Sequence, residues 1–336
     1  MFELRKHTFF NSLKVNWEDM EYTSAYQSFF VQKELAKCMP VYCFRKRYTP
    51  IYYEVLAENE TKLIFPLCKY IGQNRYCILG KVNGFQIYDV IFKRGLHQKK
   101  IEEMIHFVLQ NIQPASVEIV CLPEESVLYT AIMNLKEKGN ITLESIQCDN
   151  VVICAEAGHD EYIKSLSKNM RQNIRTAYNR LNKAELDIRL DVVTGKTIPN
   201  KIMNETLSVY IDRHELRYGV HTSWIKKIYL KYFDFSTKCL KAYPDNFCAI
   251  LYIKNEVAAF MAGVINADKG SIIIPRLSAK KDFLKYSPGV VLINETIKYM
   301  TEKMGICKLD LSKGAEQYKL SMGGKIYPTY TVKIMM

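Results

Sequence analysis

The chain has 336 residues and a formal net charge of +12, from 47 lysines and arginines against 35 aspartates and glutamates. Hydrophobic residues make up 48% of it and charged residues 24%, so a chain that is mainly disordered or fibrous is excluded. We find no run of 18 apolar residues, no secretory signal pattern and no CxxC pair, and therefore expect a cytoplasmic protein with reduced thiols, without a spanning helix or a metal site.

The first half of the chain is predicted to begin with strands and then to alternate helices with strands. Segments rich in β-branched and aromatic residues predict the strands, and apolar residues at helical spacing predict the helices. The predicted strands are 48–59, 61–72, 75–92, 114–122 and 141–154, and the predicted helices are 96–112 and 126–139. Gly139 supplies a stop for the second helix.

The second half is predicted to follow the same order more clearly. Its helices are predicted over 159–185, 199–219, 222–244 (in one or two pieces), 287–305 and 315–324, and its strands over 186–195, 246–255, 256–266, 270–279, 306–312 and 325–335. This order predicts an α/β chain with mixed, mostly antiparallel sheets flanked by helices, and it suggests a structural duplication. We place the two domains at 1–155 and 156–336.

The positive charge is concentrated in the second half. Residues 1–150 hold 18 basic and 17 acidic residues, a net +1, which leaves 29 basic and 18 acidic residues, a net +11, for residues 151–336. We expect a partner with phosphates or carboxylates to meet this half. The alternative is that the charge serves only solubility.

One helix of this half carries a basic stripe. Lys164, Lys168, Arg171 and Arg175 are spaced 4, 3 and 4 residues apart and therefore share a helix face. Four like charges on one stripe repel each other unless an anionic partner or packed acids compensate them. The stripe favours anion binding, and a solvated helix face is the alternative.

The turn at 285–289 separates a predicted strand from a predicted helix. Ser287 suits the N-cap, Pro288 suits the first helical position, and Gly289 allows a ligand to approach the backbone closely. A helix start carries unpaired N–H groups and the positive end of the helix dipole, so the turn predicts a pyrophosphate site. The alternative is simply a well-capped helix.

The segment 310–319 follows a predicted strand, at the kind of strand end where α/β sheets bind ligands. It offers possible base, acid and hydrogen-bonding groups within ten residues: Asp310, Ser312, Glu316, Tyr318 and Lys319. The alternative is a loop with capping residues.

The segment 212–218 is also rich in polar groups, but surface ion pairs are the favoured interpretation there, including for His214.

Three stretches of the second half, taken together, resemble a known family. The stretch SLSKNMRQNIRTAYNRL is similar to a basic S-K-x-x-R-x-N-x-R helix, KYSPGVVLINETIKYM to a Y-S-P-G-x-x-L cofactor turn, and KLDLSKGAEQYKLSMGG to a D-x-x-x-G-x-x-x-Y-K segment. Residues 155–330 thereby resemble the Gcn5-related (GNAT) acyltransferases, and more narrowly the CelD-like acetyltransferase domain of polysaccharide biosynthesis, a relative of the Fem transferases. Leu284 and Ser287 depart from the common Arg/Gln-x-x-Gly-x-Gly/Ala turn, and Tyr218 stands where a Trp is usual.

The resemblance implies two tandem GNAT folds, of which the first is degenerate. It implies that acetyl-CoA or another acyl-CoA lies along Lys285, Tyr286, Ser287, Gly289, Val290 and Val291. Acyl transfer further needs a base, for which we expect Asp310 or Glu316, and an acid, for which we expect Tyr318. The residues expected to bind anionic substrate groups are Lys168, Arg171, Arg175, Arg217 and Lys319.

The function expected from these residues is acyl-CoA-dependent N-acyl transfer, with acetyl-CoA as the expected donor. The acceptor expected is the amino group of an amino sugar, a polysaccharide precursor or another small amine. One alternative is a Fem-like transferase that uses aminoacyl-tRNA, which a basic surface suits. The other is a binding module of the same fold that has lost its chemistry. Oligomeric state, acyl chain length and N- versus O-transfer stay open.

Overall fold

The computed structural model describes residues 1–22, 24, 27–79, 89–232, 234, 237 and 240–336. The strands are β1 (Phe2–His7), β2 (Met20–Tyr22), β3 (Tyr48–Ala57), β4 (Glu60–Tyr70), β5 (Arg75–Ile78), β6 (Ile91–Lys93), β7 (Ser116–Pro123), β8 (Thr142–Cys154), β9 (Ile188–Thr194), β10 (Asn246–Ile253), β11 (Glu256–Asn266), β12 (Ser271–Ala279), β13 (Lys308–Lys313) and β14 (Lys325–Met335).

The α-helices are α1 (Phe29–Lys46), α2 (Gln98–Ile112), α3 (Val127–Glu137), α4 (His159–Ser165), α5 (Lys168–Lys183), α6 (Asn200–Tyr218), α7 (Trp224–Tyr232), α8 (Pro288–Tyr299) and α9 (Gln317–Ser321). Parts of the predicted strand 75–92 and of the predicted helical segment 222–244 lie outside the described residues. Among the helices described, none combines the length and the apolar character needed to cross a membrane.

The first compact unit comprises Met1–Cys148 together with Pro328–Met336. Its strands lie in the order β1-β3-β4-β5-β7-β14, with β5 and β7 parallel and the other neighbours antiparallel. The short strand β6 also pairs with β4, and β2 pairs with β6. Helices α2 and α3 pack on one another, and the apolar face of α2 is buried.

The second unit, Asp149–Tyr327, holds β8-β13-β12-β11-β10-β9 in that order. Here β12 and β13 are parallel, and all other neighbours are antiparallel. Helices α5 and α8 cover one face of the sheet, and α6 covers the other, as the two separate clusters of buried apolar side chains show. Burial on both faces explains why every residue of β10 is buried.

The predicted fold class is confirmed, because both units contain a mixed, mostly antiparallel sheet flanked by helices. Each unit has four antiparallel strands, then a crossover helix, a fifth strand parallel to the fourth, and an antiparallel strand on its far side. The units meet in sequence at Cys148 and Asp149, and the last residues of the chain return to the first unit. The domain limits 1–155 and 156–336, and the degenerate character of the first half, stay predictions.

The helix predicted over 159–185 is two helices, so that part of the prediction is wrong. The chain leaves α4 at Leu166, and Ser167 caps α5 through its Oγ, which accepts the Met170 N–H at 3.1 Å. Both helices bury apolar residues at helical spacing, so the hydrophobic pattern runs through the break without interruption. Lys164 consequently lies on a different helix from the rest of the basic stripe.

The two parallel strands of the second unit diverge after a short paired segment. Residues 271–273 of β12 pair with 308–310 of β13, whereas β12 continues to Ala279 and bonds only to β11 in the part of the chain described. A bulge at Gly263 of β11 accompanies this divergence, and a Cβ there would lie 1.8 Å from the Ile273 carbonyl oxygen. Among the residues that the structure describes, no strand pairs with 274–279 on the side opposite β11.

Candidate functional site

A cleft of about 680 Å³ opens in the second unit beside this free stretch of β12. Its walls are the C-terminal half of α6, the end of β12, the start of α8 and the segment that leads into α9. The lining residues are Tyr210, Arg213, His214, Leu216, Arg217, Tyr218, Leu277, Ser278, Ala279, Leu284, Ser287, Pro288, Gly289, Val290, Glu316 and Tyr318. The cleft therefore brings together residues from the segments 212–218, 285–289 and 310–319.

The start of α8 presents an open backbone donor to the cleft. Ser287 has φ of 53°, and its carbonyl accepts the N–H groups of Val290 and Val291 at 3.0 and 3.2 Å. Within the described chain the Gly289 N–H has no acceptor, and a Cβ on Gly289 would meet nothing within 4 Å. An anion can thus reach this N–H and the positive end of the α8 dipole directly.

Two details of the predicted turn differ from expectation. The Ser287 side chain makes no capping hydrogen bond, because the left-handed backbone at this residue turns it away from the first helical N–H groups. Ser287 therefore has a left-handed backbone conformation, which glycine adopts at no steric cost. The common family turn has a glycine at this position. The Ser287 carbonyl, and not its hydroxyl, satisfies the first turn of α8.

Lys285, Tyr286 and Val291 lie outside the cleft lining. The Lys285 ammonium lies 5.0 Å from the centre of the Tyr286 ring, and the Lys285 carbonyl accepts a hydrogen bond of 3.1 Å from Arg180 Nη1. Val291 is fully buried in the core. Of the six residues expected along the cofactor path, Ser287, Gly289 and Val290 line the cleft.

Glu316 and Lys319 form an ion pair that organises the segment before α9. Lys319 Nζ lies 2.9 Å from Glu316 Oε2 and donates to the carbonyls of Lys313 and Gly314 at 2.8 and 3.0 Å. Because the ammonium is buried and saturated with these acceptors, it shapes the loop and does not line the cleft. Binding of substrate by Lys319, as expected from the sequence, stays a prediction.

The ionisation states of the two cleft residues on this segment differ. Burial alone would raise the pKa of Glu316, but the hydrogen bond from Lys319, with a smaller contribution from the Arg217 charge, outweighs it and lowers this pKa. Partial desolvation, together with the Glu316 charge, raises the pKa of Tyr318 to about 12. At neutral pH Glu316 is therefore a carboxylate and Tyr318 a protonated phenol.

Asp310 is not among the cleft-lining residues. Its Oδ1 accepts the Ser312 N–H at 2.7 Å, its Oδ2 accepts the Tyr327 hydroxyl at 2.5 Å, and the side chain is buried. These bonds fix the end of β13, where Ser312 has φ of 60°. The catalytic role of Asp310 stays a prediction, and Glu316 is the predicted carboxylate that lines the cleft.

The basic stripe also lies outside the cleft lining. Arg171 Nη1 donates to the carbonyls of Lys164 and Leu166 at 2.8 and 2.6 Å, and so satisfies the end of α4. Lys168 and Arg175 are exposed on α5. Arg217, which comes from a different segment, is the predicted anion-binding residue that the structure brings to the cleft beside Glu316 and Tyr318.

His214 and Arg213 line the cleft although the sequence favoured surface ion pairs for their segment. His214 Nε2 lies 3.3 Å from Lys226 Nζ, and its ring centre lies 4.7 Å from that of Tyr218. Burial, followed by the Lys226 charge, lowers the pKa of His214, so the imidazole is neutral at neutral pH. The spacing of Tyr210, Arg213, His214 and Arg217 on one helix face was the available sequence signal.

Replacement of Glu316 by glutamine (Glu316→Gln) is expected to lower the free energy of unfolding by roughly 1 kcal/mol at neutral pH, because the buried Lys319 ammonium loses its counter-charge while solvent screens the pair. A carboxyl with a lowered folded-state pKa contributes stability above its unfolded pKa, and this contribution is lost as pH falls through the folded pKa. In urea unfolding, the difference between the two proteins should shrink below about pH 4. An equal difference at neutral pH and near pH 3 contradicts the prediction.

Comparison with known proteins supports the family resemblance. Residues 168–320 match the family model described as an acetyltransferase (GNAT) domain. No curated protein sequence matches the chain. The chain is similar in fold to FemX, with 10% sequence identity, 92% of each chain covered and a TM-score of 0.59.

Two further solved structures share the fold along most of the chain. One is the C-terminal domain of a putative lysylphosphatidylglycerol synthetase from Agrobacterium fabrum, with 9% identity, coverage of 90% of this chain and 91% of that one, and a TM-score of 0.55. The other is L-PGS from Bacillus licheniformis, with 13% identity, the same coverage and a TM-score of 0.54. At these identities the likeness concerns the fold alone.

Proposed function

We propose that the chain is an acyl-CoA-dependent N-acyltransferase, on the premise that residues 168–320 match the model of an acetyltransferase (GNAT) domain. The donor we propose is acetyl-CoA. The acceptor is the amino group of an amino sugar, a polysaccharide precursor or another small amine. The cleft of the second unit is the proposed place of the reaction, and the first unit is proposed to be a degenerate copy.

One observation carries this proposal, namely the open N-terminus of α8. The Gly289 N–H has no acceptor in the part of the chain described, a Cβ added to Gly289 would meet nothing within 4 Å, and Gly289 lines the cleft. A pyrophosphate suits such a site, because its oxygens accept backbone N–H bonds and its charge interacts favourably with the helix dipole. The pantetheine arm would then extend along the end of β12.

The free stretch of β12 suits the thioester end of the donor. In the described chain this stretch has a strand neighbour only on the β11 side, so backbone N–H groups on its other side are available as fixed donors. Such donors stabilise the oxyanion that forms when an amine attacks a thioester carbonyl. In this step the C–N bond forms, the C–S bond breaks, and the amine proton and thiolate must be accommodated. Ser278 and Ala279 belong to this stretch and line the cleft.

Two side chains are in the protonation states that these transfers require. The Glu316 carboxylate can accept a proton from the attacking amine, directly or through water. The Tyr318 phenol keeps its proton at neutral pH and can give it to the departing thiolate, so that CoA leaves as the thiol. We propose these roles for Glu316 and Tyr318, and we keep Asp310 as the alternative base.

The α6 side of the cleft suits an anionic acceptor. Arg213 and Arg217 are both exposed and line it, and the neutral His214 imidazole lies beside them. Guanidinium groups bind phosphates and carboxylates with two parallel hydrogen bonds. A nucleotide-linked or acidic sugar amine would therefore fit this wall better than a cationic amine.

A second candidate is a Fem-like transferase that takes its acyl group from aminoacyl-tRNA. The observation that favours it is the similarity of fold to FemX over 92% of both chains, together with the net +11 of residues 151–336. In this case the exposed cations of α5, Lys168 and Arg175, would contact the nucleic-acid backbone, and affinity would fall steeply with salt.

Titration of the protein with acetyl-CoA by calorimetry, and with aminoacyl-tRNA by filter retention, separates the two candidates. We expect saturable binding of acetyl-CoA. We also expect the protein to form an amide with at least one amino sugar of a panel, with the product detected by mass spectrometry. Salt-sensitive retention of aminoacyl-tRNA without any binding of acetyl-CoA would overturn the acyl-CoA proposal and favour the second candidate.

A further inference from the structure

Helix α7 turns an apolar face toward solvent. Trp224, Ile225, Ile228 and Tyr232 are 71%, 63%, 44% and 48% exposed. At about 100° per residue these side chains occupy a single arc of about 100°. Leu230, on the opposite side of the helix, is the residue that α7 buries. We refer to the four exposed side chains as the α7 face.

A surface helix usually turns its apolar side chains toward the core, whereas the α7 face is turned toward solvent. Isolated exposed apolar residues are common, but neighbouring ones on one helix face indicate a surface that another partner covers. The apolar exposure also extends along the chain toward the cleft. Leu216 and Tyr218, which line the cleft, are 42% and 58% exposed, and Val220 in the link to α7 is 52% exposed.

The charges of α7 indicate what the partner is. The helix contains Lys226, Lys227 and Lys231 and no acidic residue. In the described residues none of these lysines forms an ion pair with a carboxylate within 4 Å; the charge of Lys227 acts on Glu215 from a longer distance, and Lys226 Nζ lies 3.3 Å from His214 Nε2. A partner that covers the α7 face must therefore combine apolar material with negative charge.

We infer that the α7 face docks on an anionic lipid surface. Tryptophan and tyrosine favour the boundary between hydrocarbon and headgroups, because their rings are apolar and their polar atoms stay hydrated. Lysines beside such residues extend toward lipid phosphates. Ile225 and Ile228 enter the acyl region in this arrangement, and Lys227 and Lys231 contact headgroups.

A second copy of the chain fits the α7 face less well than lipid does. Protein–protein interfaces are depleted of lysine at their centres. Two α7 faces brought together by a twofold axis would also place four ammonium groups, those of Lys227 and Lys231 from each copy, close to one another, which is unfavourable. A lipid surface removes this repulsion because it supplies the counter-charge.

Binding to vesicles tests the inference without any acyl donor, so its result is independent of the proposed reaction. The full chain should sediment with phosphatidylcholine vesicles that contain phosphatidylglycerol at least about tenfold more tightly than with phosphatidylcholine alone, and salt should weaken the binding. The substitution pair Trp224→Ala and Ile228→Ser should reduce binding to anionic vesicles by at least about tenfold. The pair Lys227→Gln and Lys231→Gln should remove most of the preference for anionic vesicles.

Ile146→Ser serves as the control, because Ile146 is 68% exposed in the first unit and should leave vesicle binding unchanged. A direct readout comes from Trp224 fluorescence in a Trp17→Phe protein, since the chain has two tryptophans. Vesicles should shift the emission to the blue, and lipids carrying a quencher should reduce it. Unchanged emission at saturating vesicle concentrations overturns the inference. So does a dimer that dissociates on Ile228→Ser in a protein that does not bind vesicles.

Discussion

The variant Gly289→Glu is expected to bind acetyl-CoA at least about a hundredfold more weakly than the wild type. The new side chain would extend into the open space beside the Gly289 Cα, and its carboxylate would repel the pyrophosphate proposed to bind at the Gly289 N–H. The same variant should fold normally or with slightly greater stability, because its Cβ meets nothing within 4 Å and an acid in the first turn of α8 interacts favourably with the dipole. The Gly289→Glu protein is therefore expected to lose binding of acetyl-CoA while it keeps its stability.

Gly289→Gln is the matched control for Gly289→Glu, since glutamine has the same size without the charge. We expect it to weaken binding by about tenfold, from steric interference alone. Calorimetric titration with acetyl-CoA, paired with thermal unfolding of each protein, measures both effects. Equal affinity of the glutamate and glutamine variants would show that no anion lies near Gly289, and a large drop in melting temperature would attribute the loss to misfolding.

Removal of one hydroxyl in Tyr318→Phe is expected to lower kcat by about a hundredfold, the usual contribution of a positioned acid. The KM for acetyl-CoA should change little, because the phenol gives its proton in the transition state and does not hold the donor. Since the pKa of Tyr318 is raised to about 12, its ionisation should produce no alkaline loss of kcat across the neutral and mildly basic range. The variant should thus lower the pH–rate profile without changing its shape there.

Tyr286→Phe is the control for Tyr318→Phe, because Tyr286 is partly buried beside the turn but does not line the cleft. It should retain most of the wild-type kcat. Steady-state kinetics on all three proteins, with circular dichroism to verify folding, give the comparison. If Tyr318→Phe keeps full kcat with an acceptor that the wild type acylates, Tyr318 is not the acid.

The elements of the second unit could be predicted well where local chemistry decides them. Gly219 ends α6 in a left-handed conformation, as a glycine after a helical pattern predicts. The strands of the hairpins and the start of α8 follow from alternation, turn residues and Pro288 in the same way. The pairing of β14 with β7 could not be predicted, because it joins residues about two hundred positions apart that no local pattern relates.

The candidate site was predicted only in part, for physical reasons that are specific to each residue. Gly289 and Tyr318 follow motifs whose chemistry depends on the local backbone. The enclosure of Lys319 by loop carbonyls depends instead on Gly314, whose φ of 96° bends the loop and whose missing Cβ leaves room for the Glu316 carboxylate. For His214 the sequence favours surface ion pairs, the usual state of such a polar segment. That His214 lines the cleft depends on the positions of β12 and α8, which the local sequence does not determine.

Hydrogen exchange in the presence and absence of acetyl-CoA tests most directly whether the donor binds at the start of α8. We predict that acetyl-CoA slows exchange of the amides at 289–291 and along 274–279, while exchange in α2 of the first unit stays unchanged. Protection that is confined to residues outside the cleft, or no protection at saturating acetyl-CoA, would contradict the proposed donor site.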